Sequence, residues 1–116
     1  MLENLKKNNK DFVLLTNAPR PNSTVNEFLK KMGLKKFYEH VYTSGEASLK
    51  YLIENFINSK FYHIGPSKDF DLFEKFEQNK VRNINQADYF ICTGLFEDHE
   101  TKLEYYEDLL EKFSNK

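Results

Sequence analysis

One cysteine in 116 residues, Cys92, leaves no partner for an internal disulfide and no basis for a cysteine-built zinc site. Excess charge is also lacking. Seventeen basic residues face eighteen acidic ones, a formal charge of −1, so no overall field draws the chain toward nucleic acid or an anionic membrane. Nowhere do about 18 apolar residues run together, and Met1 to Lys10 is charged and Asn-rich with nothing like the apolar centre of a signal peptide. The expectation is a cytoplasmic protein with neither a membrane nor a nucleic acid as partner. Proline and glycine are scarce, three and four, and no linker, repeat or low-complexity tract interrupts the sequence. What is present is apolar and aromatic, 40% and 16%, enough for a modest core and too much for disorder. Lysine outnumbers arginine fifteen to two, which an AT-rich coding bias explains without any functional pressure.

Four apolar runs read as strands: Phe12 to Leu15, Val41 to Thr43, Phe61 to Ile64 and Tyr89 to Thr93, with the alternating Val81 to Ile84 as a weaker fifth. Each of the four is followed by a helix signal. Thr24 and Glu27 form a T-x-x-E capping box ahead of Val25, Phe28, Leu29 and Met32, and Gly33 supplies a stop. Thr43 and Glu46 repeat the box before the stripe Leu49, Leu52, Ile53, Phe56 and Ile57. Ser67 caps a short helix carrying Phe70, Phe73 and Phe76; Thr101 with Glu104 opens a last helix with Leu103, Tyr106, Leu110 and Phe113 inside. Leu2 to Asn9 reads as the end of a helix packed on the first sheet. Alternating strands and helices at this spacing predict βαβ units and a mainly parallel α/β fold, because parallel neighbours need a crossover long enough to hold a helix.

The strand-ending string Val13-Leu14-Leu15-Thr16-Asn17-Ala18-Pro19-Arg20-Pro21, with Val41-Tyr42-Thr43-Ser44-Gly45-Glu46, resembles the class IIA branch of the haloacid dehalogenase-like hydrolases. Further on, Tyr62-His63-Ile64-Gly65-Pro66 with Asp69, then Ala87 to Leu95 followed by Glu104-Tyr105-Tyr106, are similar to the opening of that branch's cap domain in the same order. The resemblance implies a Rossmann-like parallel-sheet core segment over residues 1–58 and the start of an α/β cap over 59–116. It further implies that Thr16 and Asn17 bind phosphate, the hydroxyl and the adjacent backbone N–H holding the transferring phosphoryl group of a phosphorylated small molecule. The family's nucleophilic Asp and its acid/base Asp form a D-x-D upstream of that Thr; a Lys and further acids complete a Mg²⁺ site downstream. Only ten residues precede Asp11, and the chain ends at Lys116. The expectation is therefore an internal segment with no catalytic residue and no metal ligand of its own, inactive alone, with Mg²⁺ belonging to the complete family member. The alternative is a small α/β interaction module that complements a second polypeptide, or self-associates, through unpaired sheet edges.

Each pointed reading has a plain competitor. Thr16 and Asn17 can simply end a strand and begin a turn before Pro19. Arg20 can pair bidentately with a phosphate or a substrate carboxylate, or lie solvated at the surface. Asp69-Phe70-Asp71 is a D-x-D, but it follows Gly65-Pro66 rather than a strand, comes after the Thr string, and suits a helix start, where acidic groups favour the dipole. His63, Asp69, Asp98 and His99 lack metal-ligand spacing, and His63 on a strand reads as a packed or hydrogen-bonded core histidine. Cys92, without a basic neighbour, reads as a buried small hydrophobe. The lysine clusters Lys6-Lys7-Lys10 and Lys30-Lys31-Lys35-Lys36 read as solvated helix faces, since acidic residues balance them and no aromatic platform is interleaved.

Overall fold

The computed structural model describes residues 1–96 and 102–114. The expected capping residue Thr101, and Asp98 and His99, lie outside these described residues. The order of elements is α1 (Leu2–Lys7), β1 (Leu14–Thr16), α2 (Asn22–Lys31), β2 (Val41–Thr43), α3 (Ser44–Phe56), β3 (Phe61–Ile64), β4 (Tyr89–Cys92) and α4 (Leu103–Ser114), with 3₁₀ turns at Tyr38–His40, Ser67–Asn79 and Ile84–Gln86. β1 pairs in parallel with β2, and β3 with β4, so the fold is mixed α/β with parallel strand pairs. The chain divides into two compact units, Met1–Tyr51 and Leu52–Lys116, so the first pair lies in one unit and the second pair in the other.

In the first unit the register sets Leu14 beside Val41, Leu15 beside Tyr42 and Thr16 beside Thr43. Val41 and Leu49 are its buried apolar side chains. β1 is shorter than the apolar run suggests, and it is not a buried strand: Leu15 is 76% exposed, because β2 is its one neighbour among the described residues. α1 buries none of its residues. Its apolar groups, Leu2 and Leu5, are half-buried, and Glu3 pairs with Lys36 at 3.4 Å.

α2 starts at Asn22, after Pro21, so Thr24 sits inside the first turn and the expected Thr24/Glu27 box does not form the cap. Its end does follow the sequence signal. Gly33 adopts φ +96°, its N–H bonds to Lys30 O at 3.0 Å, and the N–H of Leu34 reaches back to Leu29 O at 2.9 Å. These two bonds satisfy carbonyls that the last turn would otherwise leave open.

The second unit is organised around Phe61, which is fully buried between Phe73 and Phe76, with ring centroids 5.2 and 5.5 Å away. Ile64, Leu72, Ile84, Ala87, Ile91 and Leu109 complete this core. Residues 67–79 form 3₁₀ turns rather than an α-helix, interrupted by non-helical backbone angles at Asp69, Phe73 and Phe76. Pro66 precedes the first turn and the Ser67 side chain makes no capping bond. The breaks turn Phe70 outward, 57% exposed, while Leu72 takes the inward place expected of it. The weak fifth strand is absent: among the described residues the segment pairs with β3 through a lone bridge of Lys80 to Phe61 and through the Val81 N–H, which bonds to Phe61 O at 2.8 Å. The Asn83 side-chain Oδ1 then accepts from Asn85 N–H at 3.0 Å and caps a 3₁₀ turn. In α4 the inward residues are Tyr106, Leu109 and Phe113; Leu103 and Leu110 face out.

Candidate functional site

Parallel α/β sheets hold ligands beyond the carboxyl ends of their strands, where loops and helix starts converge. In the first unit those ends are Thr16 and Thr43, adjacent in register. Beyond Thr16 runs the loop Asn17-Ala18-Pro19-Arg20-Pro21; beyond Thr43 begins α3. Thr16 is exposed and its Oγ1 accepts the N–H of Ala18 at 3.3 Å, a local turn that still leaves the hydroxyl proton to donate. Asn17 is exposed beside it. The two residues thus stand next to each other at the open end of β1. Arg20 is half-buried and its backbone lies against the start of α3. A shallow groove of about 340 Å³ runs past Thr16, Asn17, Thr43 and Ser44, and a larger apolar one of about 640 Å³ passes Leu15, Thr16, Arg20 and Phe28.

Thr43 is 1% exposed and caps α3: its Oγ1 accepts the N–H of Glu46 at 2.8 Å, the half of the capping box that the sequence predicts. The other half is rerouted. Glu46 Oε2 accepts the N–H of Asn22 at 2.9 Å, and the N–H of Thr43 donates to Asn22 Oδ1 at 2.9 Å. Glu46 therefore caps α2, which has no acidic residue in its own first turn, and places its charge at that helix's positive end. The loop is tied down as well. Thr43 Oγ1 donates to Arg20 O at 2.5 Å, while Gly45 N–H and Ser44 Oγ both donate to Ala18 O, at 3.1 and 3.0 Å. Gly45 is required here, since a Cβ would lie 2.3 Å from Arg20 N and 2.5 Å from Arg20 O. Sequence reasoning recognised Thr43 and Glu46 as a local helix start within a string that carries the family resemblance, and passed over Asn22 altogether.

The family-model comparison matches residues 1–78 to a haloacid dehalogenase-like hydrolase. The chain belongs to the haloacid dehalogenase-like hydrolase family. Solved structures of similar fold agree. A haloacid dehalogenase-like hydrolase from Brucella suis 1330 superposes with a TM-score of 0.74 at 24% identity, over 98% of this chain and 41% of that one. A protein assigned the name nagD gives 0.63 at 25% identity over 97% and 41%, and a p-nitrophenyl phosphatase from Archaeoglobus fulgidus gives 0.64 at 18% identity over 98% and 42%. This chain thus spans about two fifths of the length of the solved relatives it matches. Among curated proteins none matches.

Complete members of this family use Mg²⁺, which takes oxygen ligands in near-octahedral array and usually needs one or two carboxylates. The residues around Thr16 do not fit that demand. The carboxylate tied into this end of the sheet, Glu46, is engaged by Asn22, and among the described residues no three His, Cys, Asp or Glu side chains gather where they could hold an ion.

The remaining candidates fall in the second unit. His63 is buried; its Nε2 lies 2.9 Å from Thr93 Oγ1 and its ring meets Phe73 edge-on at 4.8 Å, as a hydrogen-bonded core histidine should. Burial holds its pKa below the ordinary histidine value, Lys80 pushes the same way, and Asp69 opposes. Asp69 stands in the first turn of the 67–79 segment but is 3% exposed, so it is an internal group rather than a solvated helix-start charge. Cys92 is exposed, not buried: it follows Ile91 on β4, and alternation along a strand sends it to the opposite face from that core residue. No helix among the described residues is long and apolar enough to cross a membrane.

Proposed function

We propose that the Thr16–Pro21 loop is the phosphoryl-binding end of a phosphohydrolase core, and that the 116-residue chain does not hydrolyse phosphate esters by itself. The observation that carries the reading is the pair Thr16 and Asn17, exposed at the carboxyl end of a parallel strand, in a chain of this family. The Thr16 hydroxyl proton and a backbone N–H are hydrogen-bond donors of the kind that hold a phosphoryl oxygen, and Arg20 supplies a cation to the same loop. A phosphorylated small molecule is the substrate class, in keeping with the p-nitrophenyl phosphatase among the related folds. In this proposal residues 1–58 contribute to the core and 59–116 to the beginning of a class IIA cap, and the protein works in the cytosol, where its exposed Cys92 stays reduced. The carboxylate nucleophile and the metal acids are not assigned to any residue of this chain. Thr16 and Asn17 orient the phosphoryl group through hydrogen bonds from the hydroxyl and the backbone. The comparisons lend no support to the alternative of a module that complements a second polypeptide.

Two measurements test the proposal. Inorganic phosphate added to the ¹⁵N-labelled chain is expected to shift the amide signals of Asn17 and Ala18, and Thr16→Val is expected to abolish the shift; an unresponsive loop refutes phosphate binding. The purified chain is expected to release no p-nitrophenol from p-nitrophenyl phosphate with Mg²⁺ beyond a heat-inactivated control, and reproducible Mg²⁺-dependent turnover refutes the second half.

A further inference from the structure

We infer that Asn22, Thr43 and Glu46 are positioning residues that hold the start of α3 where it pairs the two X-Pro carbonyls of the Thr16–Pro21 loop, Ala18 O and Arg20 O, and so keeps them from an anion, an inference that rests on the phosphate-binding reading of that loop. The three form a closed ring in which each backbone N–H donates to the next side chain. Glu46 N–H goes to Thr43 Oγ1 at 2.8 Å, Thr43 N–H to Asn22 Oδ1 at 2.9 Å, and Asn22 N–H to Glu46 Oε2 at 2.9 Å. The ring joins the starts of α2 and α3, so it ties the end of the loop at Asn22 to the start of α3.

The loop itself contains two X-Pro peptides, Ala18-Pro19 and Arg20-Pro21. Such a peptide has a carbonyl but no N–H, and can only present negative partial charge. Two unpaired carbonyls beside a phosphoryl group would repel it. Here both are consumed: Ala18 O accepts from Gly45 N–H and Ser44 Oγ, and Arg20 O accepts from Thr43 Oγ1. The Thr43-Ser44-Gly45-Glu46 segment therefore acts on the loop's carbonyls rather than on the ligand, and Gly45 allows the approach because any Cβ would strike Arg20. The prolines complete the device by fixing φ at both positions, which leaves the loop few alternative ways to turn a carbonyl outward.

Thr43→Val keeps the shape of this side chain and deletes its capping and donating oxygen; Thr43→Ser restores the oxygen. In the full chain, Thr43→Val is expected to speed amide exchange at Gly45 and to weaken the inorganic phosphate titration at Asn17 by about fivefold, the scale of one lost hydrogen bond, with Thr43→Ser returning both. Glu46→Ala against Glu46→Gln repeats the comparison from the other side of the ring should Thr43→Val fail to fold. Phosphate binding that survives Thr43→Val or Glu46→Ala unchanged overturns the inference. A wild-type loop that ignores phosphate while Gly45 exchange still responds to Thr43→Val overturns both the phosphate reading and its dependence on the ring, leaving a purely structural clamp. Loss of binding that the conservative variants fail to rescue also counts against it.

Discussion

Gly45→Ala is the sharpest perturbation of the first unit, because its effect is set by backbone rather than by movable side chains. The added Cβ would lie 2.3 Å from Arg20 N, 2.5 Å from Arg20 O and 2.6 Å from its carbonyl carbon, where ordinary contact begins near 3.4 Å. The loop must retreat by about 1 Å, and packing that forces such backbone shifts costs roughly 1–3 kcal/mol. The same retreat strains Gly45 N–H to Ala18 O and Thr43 Oγ1 to Arg20 O, each worth about 1 kcal/mol. Alanine returns up to about 1 kcal/mol as the better helix former. The net expectation is a loss of about 2–3 kcal/mol, which at a slope of about 1–3 kcal/mol per molar urea moves the unfolding midpoint down by roughly 1 M or more. Gly33→Ala is the control. It has nothing within 4 Å of the new Cβ and suffers only from its φ of +96°, a cost of about 1–2 kcal/mol. Urea unfolding followed by circular dichroism, with amide exchange to assign the loss to the first unit, checks both. A Gly45→Ala midpoint equal to or above that of the parent chain would refute the close approach of loop and helix on which the site description depends.

In the second unit, Phe76→Ala is expected to cost about 3–5 kcal/mol and Phe70→Ala less than about 1, since the first ring is 1% exposed and the second 57%; urea midpoints that rank them the other way would deny the kinked course of residues 67–79. His63 has a folded pKa held below the unfolded value of about 6.5, so the unfolded chain binds the extra proton first as pH falls. Its contribution is complete above about pH 6.5 and is lost on acidification toward the folded pKa; a His63→Gln chain should show a flatter dependence of the urea midpoint across that window, measured from pH 8 to about 5. Native Cys92 is exposed and should react with a thiol reagent such as dithionitrobenzoate without denaturant, at a rate close to that of the unfolded chain. Protection of the thiol until urea is added would return it to the core.

The four strands were legible because each is an apolar run between helix signals, and their parallel pairing followed from the crossover lengths. Gly33 as a helix stop and His63 as a packed residue were legible for similarly local reasons. What the sequence did not disclose depends on contacts between distant positions. The Thr24/Glu27 spacing satisfies a capping rule, yet the helix begins at Asn22 because Pro21 precedes it and Glu46, 24 residues away, supplies the oxygen. The i, i+3 spacing of Phe70, Phe73 and Phe76 promises one face, but breaks at Asp69 and Phe73 rotate the first of them outward. Cys92 lies in an apolar run and was read by its neighbours' chemistry, whereas strand alternation decides its side. At the site itself, Thr16 and Asn17 were visible as a strand end, and Thr43 and Glu46 as a helix start. Their convergence needed the β1/β2 register, which no local pattern contains.

The ring of Asn22, Thr43 and Glu46 also constrains how this protein comes to be folded. α2 cannot receive its capping carboxylate until α3 is in place, and the Thr43 amide cannot be satisfied until Asn22 arrives. The start of α3 keeps a local cap in Thr43, whereas that of α2 is satisfied only across the sheet, so the long-range bonds of the ring are expected to form together with the pairing of β1 and β2. Mutations at Asn22 and Glu46 would then divide their effects between folding and unfolding rates in the same proportion, although the two residues are far apart along the chain.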